Sequence, residues 1–221
     1  ALIPLMPHIS PDTILMLMHN GMGTAEAVVK KMPNNPLVLA TTTHGAYKPS
    51  KQQVLHTGRG QTQLGGFNSL GNKCSFLEEV FTNALPITAW NNNIHHALWT
   101  KLAINCAINP LTAIHQVKNG QLAAQEHQLE VNGLLHEIYQ VLAAEQIPLS
   151  REQLSQTVNQ VIEATAANHS SMQQDIFHRR RSEIDFITGY LLERAQHHGI
   201  STPKNNKLYQ AIKNIEQSWN S

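Results

Sequence analysis

The stretch ALWTKLAINCAINPLTA, residues 97–113, decides how the rest of the chain is read. Leu98, Trp99, Leu102, Ala103, Ile104, Cys106, Ala107 and Ile108 make it apolar almost all round, the pattern of a buried helix. Its polar exceptions include Lys101, Asn105 and Asn109, spaced four apart. At about 100° per residue a step of four drifts only about 40°, so the three form one stripe. A narrow solvent-facing stripe is one reading. Asn is a poor helix former, however, and solvated stripes are richer in Glu and Lys, which favours the wall of a polar cleft. Desolvation there would lower the pKa of Lys101 and make it a usable general acid. Asn109-Pro110 is expected to break the helix, because proline lacks an N–H to continue it.

Downstream of this stretch the pattern stays helical. Residues 95–108, 126–145, 150–167, 172–177, 183–197 and 204–218 read as helices, separated by Asn109-Pro110, Asn119-Gly120, Ile147-Pro148 and Gly199 with Pro203. Ser182-Glu183-Ile184-Asp185 has the spacing of a capping box, which would put Glu183 in the first turn of its helix. On one straight helix Ser171 and Glu183 would stand about 18 Å apart, so a bend between them is needed to bring both to one small ligand. Upstream, residues 13–18 form a short apolar run typical of a buried parallel strand, followed by the tight turn Asn20-Gly21-Met22-Gly23 and a helix over 24–31. A second strand spans 36–43. Residues 54–57 and 62–65, joined across Gly58-Arg59-Gly60, suggest a hairpin; 76–85 is helical and 87–90 an edge strand. The organisation is an α/β part over residues 1–92 followed by an all-helical part over 93–221.

Composition narrows the function classes. Lys and Arg number 16 against 15 Asp and Glu, a net charge of +1, which gives no electrostatic reason to expect nucleic acid or an anionic membrane as partner. Cys74 and Cys106 are too few for a disulfide framework and suit a reducing cytoplasm. Residues 1–10 lack the pattern of a signal peptide. The 13 histidines include the adjacent pairs His95-His96 and His197-His198 but no HExxH, so no metal site is expected. Walker, GxSxG and GxGxxG motifs are absent as well. Asn168-His169-Ser170-Ser171 reads on its own as a capped helix start, and Arg179-Arg180-Arg181 as a solvated turn.

Together the motifs HNGMGT (19–24), TTTHGA (41–46), WTKLAINCAINPLTAI (99–114), NGQL (119–122), NHSSMQQDI (168–176) and SEIDFITGYLLERAQHHGISTP (182–203) resemble the ketopantoate reductase (2-dehydropantoate 2-reductase) family, in the family's order over nearly the whole chain. The resemblance implies an oxidoreductase that reduces ketopantoate to pantoate with NADPH in pantothenate biosynthesis. It implies a Rossmann-type nucleotide-binding part followed by a helical domain like that of the 6-phosphogluconate dehydrogenase C-terminal fold, and it leaves a homodimer open. By matching positions, Lys101 is the proton donor, and Asn105, Asn109, Asn119, Asn168, Ser170 and Ser171 contact substrate. Asn20 and Ala46 contact the cofactor, and Glu183 lies near the nicotinamide ribose and the catalytic lysine.

One departure is large. The strand, G-x-G-x-x-G turn and helix that open the family's fold are not in these residues, and what precedes residue 13 is too short for βαβ units of about 30 residues. The pyrophosphate loop and the group that selects NADP would then be missing, and the expectation is little or no reductase activity from this chain alone. A related 2-hydroxyacid or opine-type dehydrogenase is an alternative activity. A non-catalytic helical dimerisation domain is an alternative of another class.

Overall fold

A computed structural model of the chain describes residues 2–219. It divides into two compact units: one holds the residues up to His19 together with 23–97, the other Asn20–Met22 together with the residues from Leu98 onward.

The first unit is built on a four-stranded sheet ordered β1-β2-β5-β6, where β1 is Leu15–Met18, β2 Leu37–Thr42, β5 Thr62–Gly66 and β6 Thr88–Trp90. β1 runs parallel to β2, as the apolar run at 13–18 leads one to expect, and β6 runs parallel to β5 at the edge. Val38, Ala40 and Leu64 form the buried core with Cys74 and with Leu77 of a short helix, α2 (Leu77–Thr82). The turn after β1 leads into α1 (Thr24–Lys31), with Gly21 at φ 80° and Gly23 at φ 93°. That backbone region is open to glycine and costly for most other residues.

The expected hairpin across Gly58-Arg59-Gly60 does not form. β4 (Gln53–Gly58) instead pairs antiparallel with β3 (Gly45–Ser50) as a separate ribbon, with Ala46 opposite His56. β5 pairs antiparallel with β2. Burial explains the choice: Gln53 to Thr57 are exposed, whereas Thr62, Leu64 and Gly65 are buried and must join the core sheet. The glycine that looked like a hairpin corner serves a close approach, since a Cβ at Gly60 would lie 2.4 Å from the Thr43 carbonyl carbon.

The second unit is helical: α3 (Ile94–His115, its first turn in the first unit), α4 (Gln125–Ala144), α5 (Arg151–Ala164), α6 (Ser171–Phe177), α7 (Thr188–His197) and α8 (Pro203–Ser218). α4 packs on α5, α7 and α8. α5 begins with a reciprocal cap, Gln153 N–H donating to Ser150 Oγ (3.2 Å) and Ser150 N–H to Gln153 Oε1 (2.8 Å). Two expectations are corrected. Pro110 does not end α3, which continues to His115. An interior proline costs about 3 kcal/mol, but every residue from Cys106 to Ala113 is buried, and their packing outweighs that loss. Nor is Glu183 in the first turn of α7, which starts at Thr188; residues 183–187 form a turn closed by Phe186 and Ile187 N–H donating to the Glu183 carbonyl. The Ser182 hydroxyl, expected as the cap, donates instead to buried Glu216 on α8 (2.7 Å).

Cys74 and Cys106 are both buried and free of disulfides. Burial pushes the Cys106 thiol up to about 12 against a weaker opposing hydrogen bond from Thr188, so it is no nucleophile at neutral pH. No described helix is long and apolar enough to cross a membrane.

Candidate active site

Lys101, Asn105 and Asn109 occupy one stripe of α3, as their spacing requires, amid buried Leu102, Ala103, Cys106 and Ile108. Lys101 and Asn105 are half-buried, and Asn109 is 8% exposed, so the stripe is not a solvated face along its length. Burial pushes the Lys101 ammonium below its ordinary pKa of 10.5, and the Glu183 carboxylate opposes that shift. The lysine is thus desolvated under the compensating influence of the Glu183 charge, the environment that tunes a lysine for proton transfer.

Asn20 completes this cluster. Its Nδ2 donates to Glu183 Oε2 at 3.0 Å across 163 residues of sequence. The backbone alongside is fixed by Met22 N–H donating to the Phe186 carbonyl (2.9 Å). Gly21 is obligatory at this approach, because a Cβ there would sit 2.5 Å from that carbonyl oxygen at a φ of 80°. The bend that separates α6 from α7 therefore brings Glu183 to Lys101 and Asn20.

The remaining expected residues fall on neighbouring segments. Asn119 is buried; its N–H donates to the Asn168 carbonyl (3.0 Å) and its Nδ2 to Thr165 (2.9 Å). Asn119 Oδ1 is buried and without a hydrogen-bond partner among the described residues. Asn168 and Ser171 are exposed. Ser170 is buried and committed to protein partners, accepting from Gln173 N–H (3.0 Å) to cap α6 and sharing a 2.7 Å hydrogen bond with Thr112 of α3. Ala46 lies on the exposed β3 ribbon in the other unit.

Sequence reasoning passed over two residues. Thr112 joins the site-bearing part of α3 to the start of α6; its hydroxyl also reaches the Ile108 and Asn109 carbonyls of its own helix (3.0 Å each), so nothing in the sequence alone signalled the Ser170 contact. Asp175 lies one helical turn beyond Ser171 on α6, and its carboxyl is pushed up, chiefly by burial. Arg180 opposes that, while Glu183 and Glu216 add to it, so Asp175 feels the charge at the Lys101 cluster. Its i, i+4 relation to Ser171 was the available signal.

The helical unit has a direct counterpart among known proteins. Residues 93–216 match the family described as "Ketopantoate reductase PanE/ApbA C terminal", and residues 1–69 match "Ketopantoate reductase PanE/ApbA". The chain belongs to the ketopantoate reductase family. It is 55% identical over 219 residues to the 2-dehydropantoate 2-reductase of Vibrio cholerae serotype O1, covering 99% of this chain and 74% of that relative. A dimeric ketopantoate reductase from Staphylococcus aureus superposes with a TM-score of 0.80 at 25% identity, covering 98% of this chain and 73% of that one. A D-mandelate dehydrogenase solved with NADH and anilino(oxo)acetate superposes at 0.90 with 24% identity, covering 100% and 73%. At that identity the likeness is one of fold. Within the family the α/β part is Rossmann-like, and the helical part is the family's C-terminal domain.

Proposed function

We propose that the chain carries the reducing site of a 2-dehydropantoate 2-reductase, with Lys101 as the general acid that protonates the C2 oxygen of ketopantoate. The observation that carries this reading is the desolvated Lys101 beside Glu183, itself held by Asn20. The family's relatives named for that reaction supply the substrate. Residues 1–92 are the nucleotide-binding part and 93–221 the substrate-binding and dimerisation part. The cofactor is a nicotinamide dinucleotide, and NADPH is the form proposed. The donor set fits its nicotinamide end: the Glu183 carboxylate and the Asn20 amide are fixed side by side, and Asn20 follows the carboxyl end of β1 in sequence, the end at which α/β sheets bind ligands. When bound, the dihydronicotinamide supplies the hydride to C2.

This chain's residues do the rest. The Lys101 ammonium donates a hydrogen bond to the carbonyl oxygen, draws charge onto it, and gives up a proton as the alkoxide forms. Glu183 opposes the loss of that ammonium's charge on burial and, with Asn20, orients the cofactor; a contact from the Ala46 backbone is carried by the family resemblance alone. Asn105, Asn109, Asn119, Asn168 and Ser171 fix the carboxylate and hydroxyl handles, with Ser170 behind them as the α6 cap. Asn119 Oδ1, a buried acceptor, suits a substrate hydroxyl. Two buried thiols fit a cytoplasmic setting, and the dimeric relative favours a homodimer.

The test is NADPH consumption on addition of ketopantoate, assayed in the full reading frame that contains residues 1–221. Lys101→Ala should lose about 10²–10⁴-fold in turnover, the scale of general acid catalysis, while its circular dichroism stays unchanged. A rate preserved in a folded Lys101→Ala protein would sink the assignment. Faster turnover of another 2-oxo acid would move the substrate and leave the lysine's role standing.

A further inference from the structure

We propose that His115, His127 and Glu130 form a site for a divalent transition-metal ion of the zinc class, which ties the end of α3 to the first turns of α4. The site is separate from the Lys101 cluster and does not depend on the reductase reading. His115 is the last residue of α3, followed by Gln116 in the left-handed region at φ 54°. The chain then turns back through a short 3-10 helix, Asn119–Ala123, whose Leu122 is fully buried. Gln128 Nε2 donates to the Leu122 carbonyl (2.8 Å), which fixes the first turn of α4 against that anchor. His127 and Glu130, three apart on α4, share the face turned to His115.

Three donors converge there. His115 Nε2 lies 3.2 Å from Glu130 Oε2, and the His115 and His127 rings are 4.8 Å apart at an interplanar angle of 53°. One ligand atom from each of the three residues lies within 4.8 Å of both others. Donors bound to zinc at about 2.0–2.2 Å stand about 3.3 Å from one another in a tetrahedron. The His115–Glu130 distance already meets that, and His127 needs only a side-chain adjustment. His127 is 13% exposed, His115 35% and Glu130 48%, so the group is partly desolvated yet open to an ion. Glu126 Oε1, 3.6 Å from His127 Nε2, adds a second carboxylate at the rim.

The donor chemistry selects the class of ion. Two imidazoles with a carboxylate suit zinc, nickel or copper, whereas calcium and magnesium demand oxygen ligands. Without an ion, the His115–Glu130 contact is an exposed pair of the kind that contributes little to stability. His127 then faces the exposed Glu126 at 3.6 Å and the His115 ring, whereas a metal would take its ring nitrogen as a ligand.

The test titrates Zn²⁺ into the metal-free chain by calorimetry and follows imidazole ¹⁵N shifts of the unsubstituted protein. One ion per chain should bind, His115 and His127 should shift first, and the melting temperature should rise with Zn²⁺ concentration. His115→Ala and His127→Ala should each weaken binding about tenfold or more, and His197→Ala should not. Zn²⁺ binding that is unchanged in the His115→Ala/His127→Ala double variant overturns the proposal. So does a first shift at the His197-His198 pair or at His44 and His56, and that readout needs no variant to fold.

Discussion

Lys101 must hold a proton at the moment the carbonyl oxygen takes on charge, and its surroundings pull its acidity in two directions. Burial favours the neutral amine, and Glu183 favours the ammonium, with burial the stronger. The acid form is lost as pH rises through the folded pKa, which lies below 10.5, so reduction should fall on the alkaline side earlier than an exposed lysine would allow. Replacing the carboxylate removes the influence that raises this pKa. In Glu183→Gln the alkaline limb of kcat/KM for ketopantoate should therefore move to lower pH. A limb that stays in place or moves upward would remove Glu183 from its charge-holding role. Of this cluster only the lysine and its two asparagines were readable from spacing, because they share a helix. Asn20 and Glu183 stand 163 positions apart, and only the family resemblance put them together.

Two short segments carry the site's precision. Gly21 packs its backbone against Phe186 so closely that an added Cβ would lie 2.5 Å from the carbonyl oxygen and 2.6 Å from the Phe186 Cβ. Gly21→Ala must shift that turn and force a left-handed alanine, at a cost of about 1–3 kcal/mol. Asn20 moves with the turn, so both the melting temperature and kcat/KM should drop; a variant with native values for both would show that the turn has slack. On the other side, Thr112→Val keeps the shape but leaves Ser170 without its 2.7 Å partner on α3. The cost should be about 1–2 kcal/mol, and KM for ketopantoate should rise more than kcat falls, because the hydroxyl positions α6 and touches no reacting atom. An unchanged KM would make Thr112 a purely structural residue. Elements were legible where one periodicity was strong, as in the helices from α4 onward. The Gly58-Arg59-Gly60 corner and Pro110 were misread for a common reason. Glycine and proline mark local preference, and tertiary burial decided between the β2 and β4 partners for β5 and carried α3 past its proline.

At the scale of the molecule, the shift from short strands to uninterrupted helices near residue 92 was plain in the sequence, since it needs only hydrophobic period. What holds the helical unit together was less plain, because it rests on a buried polar junction. Glu137, on α4 and 5% exposed, accepts hydrogen bonds from Lys204 N–H (2.9 Å), Asn205 N–H (3.0 Å) and Asn205 Nδ2 (2.8 Å). It thereby caps α8 from a different helix, where the partial positive charge of a helix N-terminus favours a carboxylate. Thr202, the residue in the cap position itself, makes no side-chain cap, so Glu137 is its substitute. Removing the carboxylate strands two helical N–H groups and an asparagine that is 0% exposed. Glu137→Ala should cost about 3 kcal/mol. At about 2–4 °C per kcal/mol for a chain of this size, the helical melting transition should fall by about 6–12 °C. Glu137→Gln, which keeps one acceptor oxygen and the side-chain shape, should lose less than half of that. If Glu137→Ala melts with the parent protein, α8 is held by the burial of Leu208 and Ile212 alone, and the carboxylate is a guest at a junction that apolar packing has already closed.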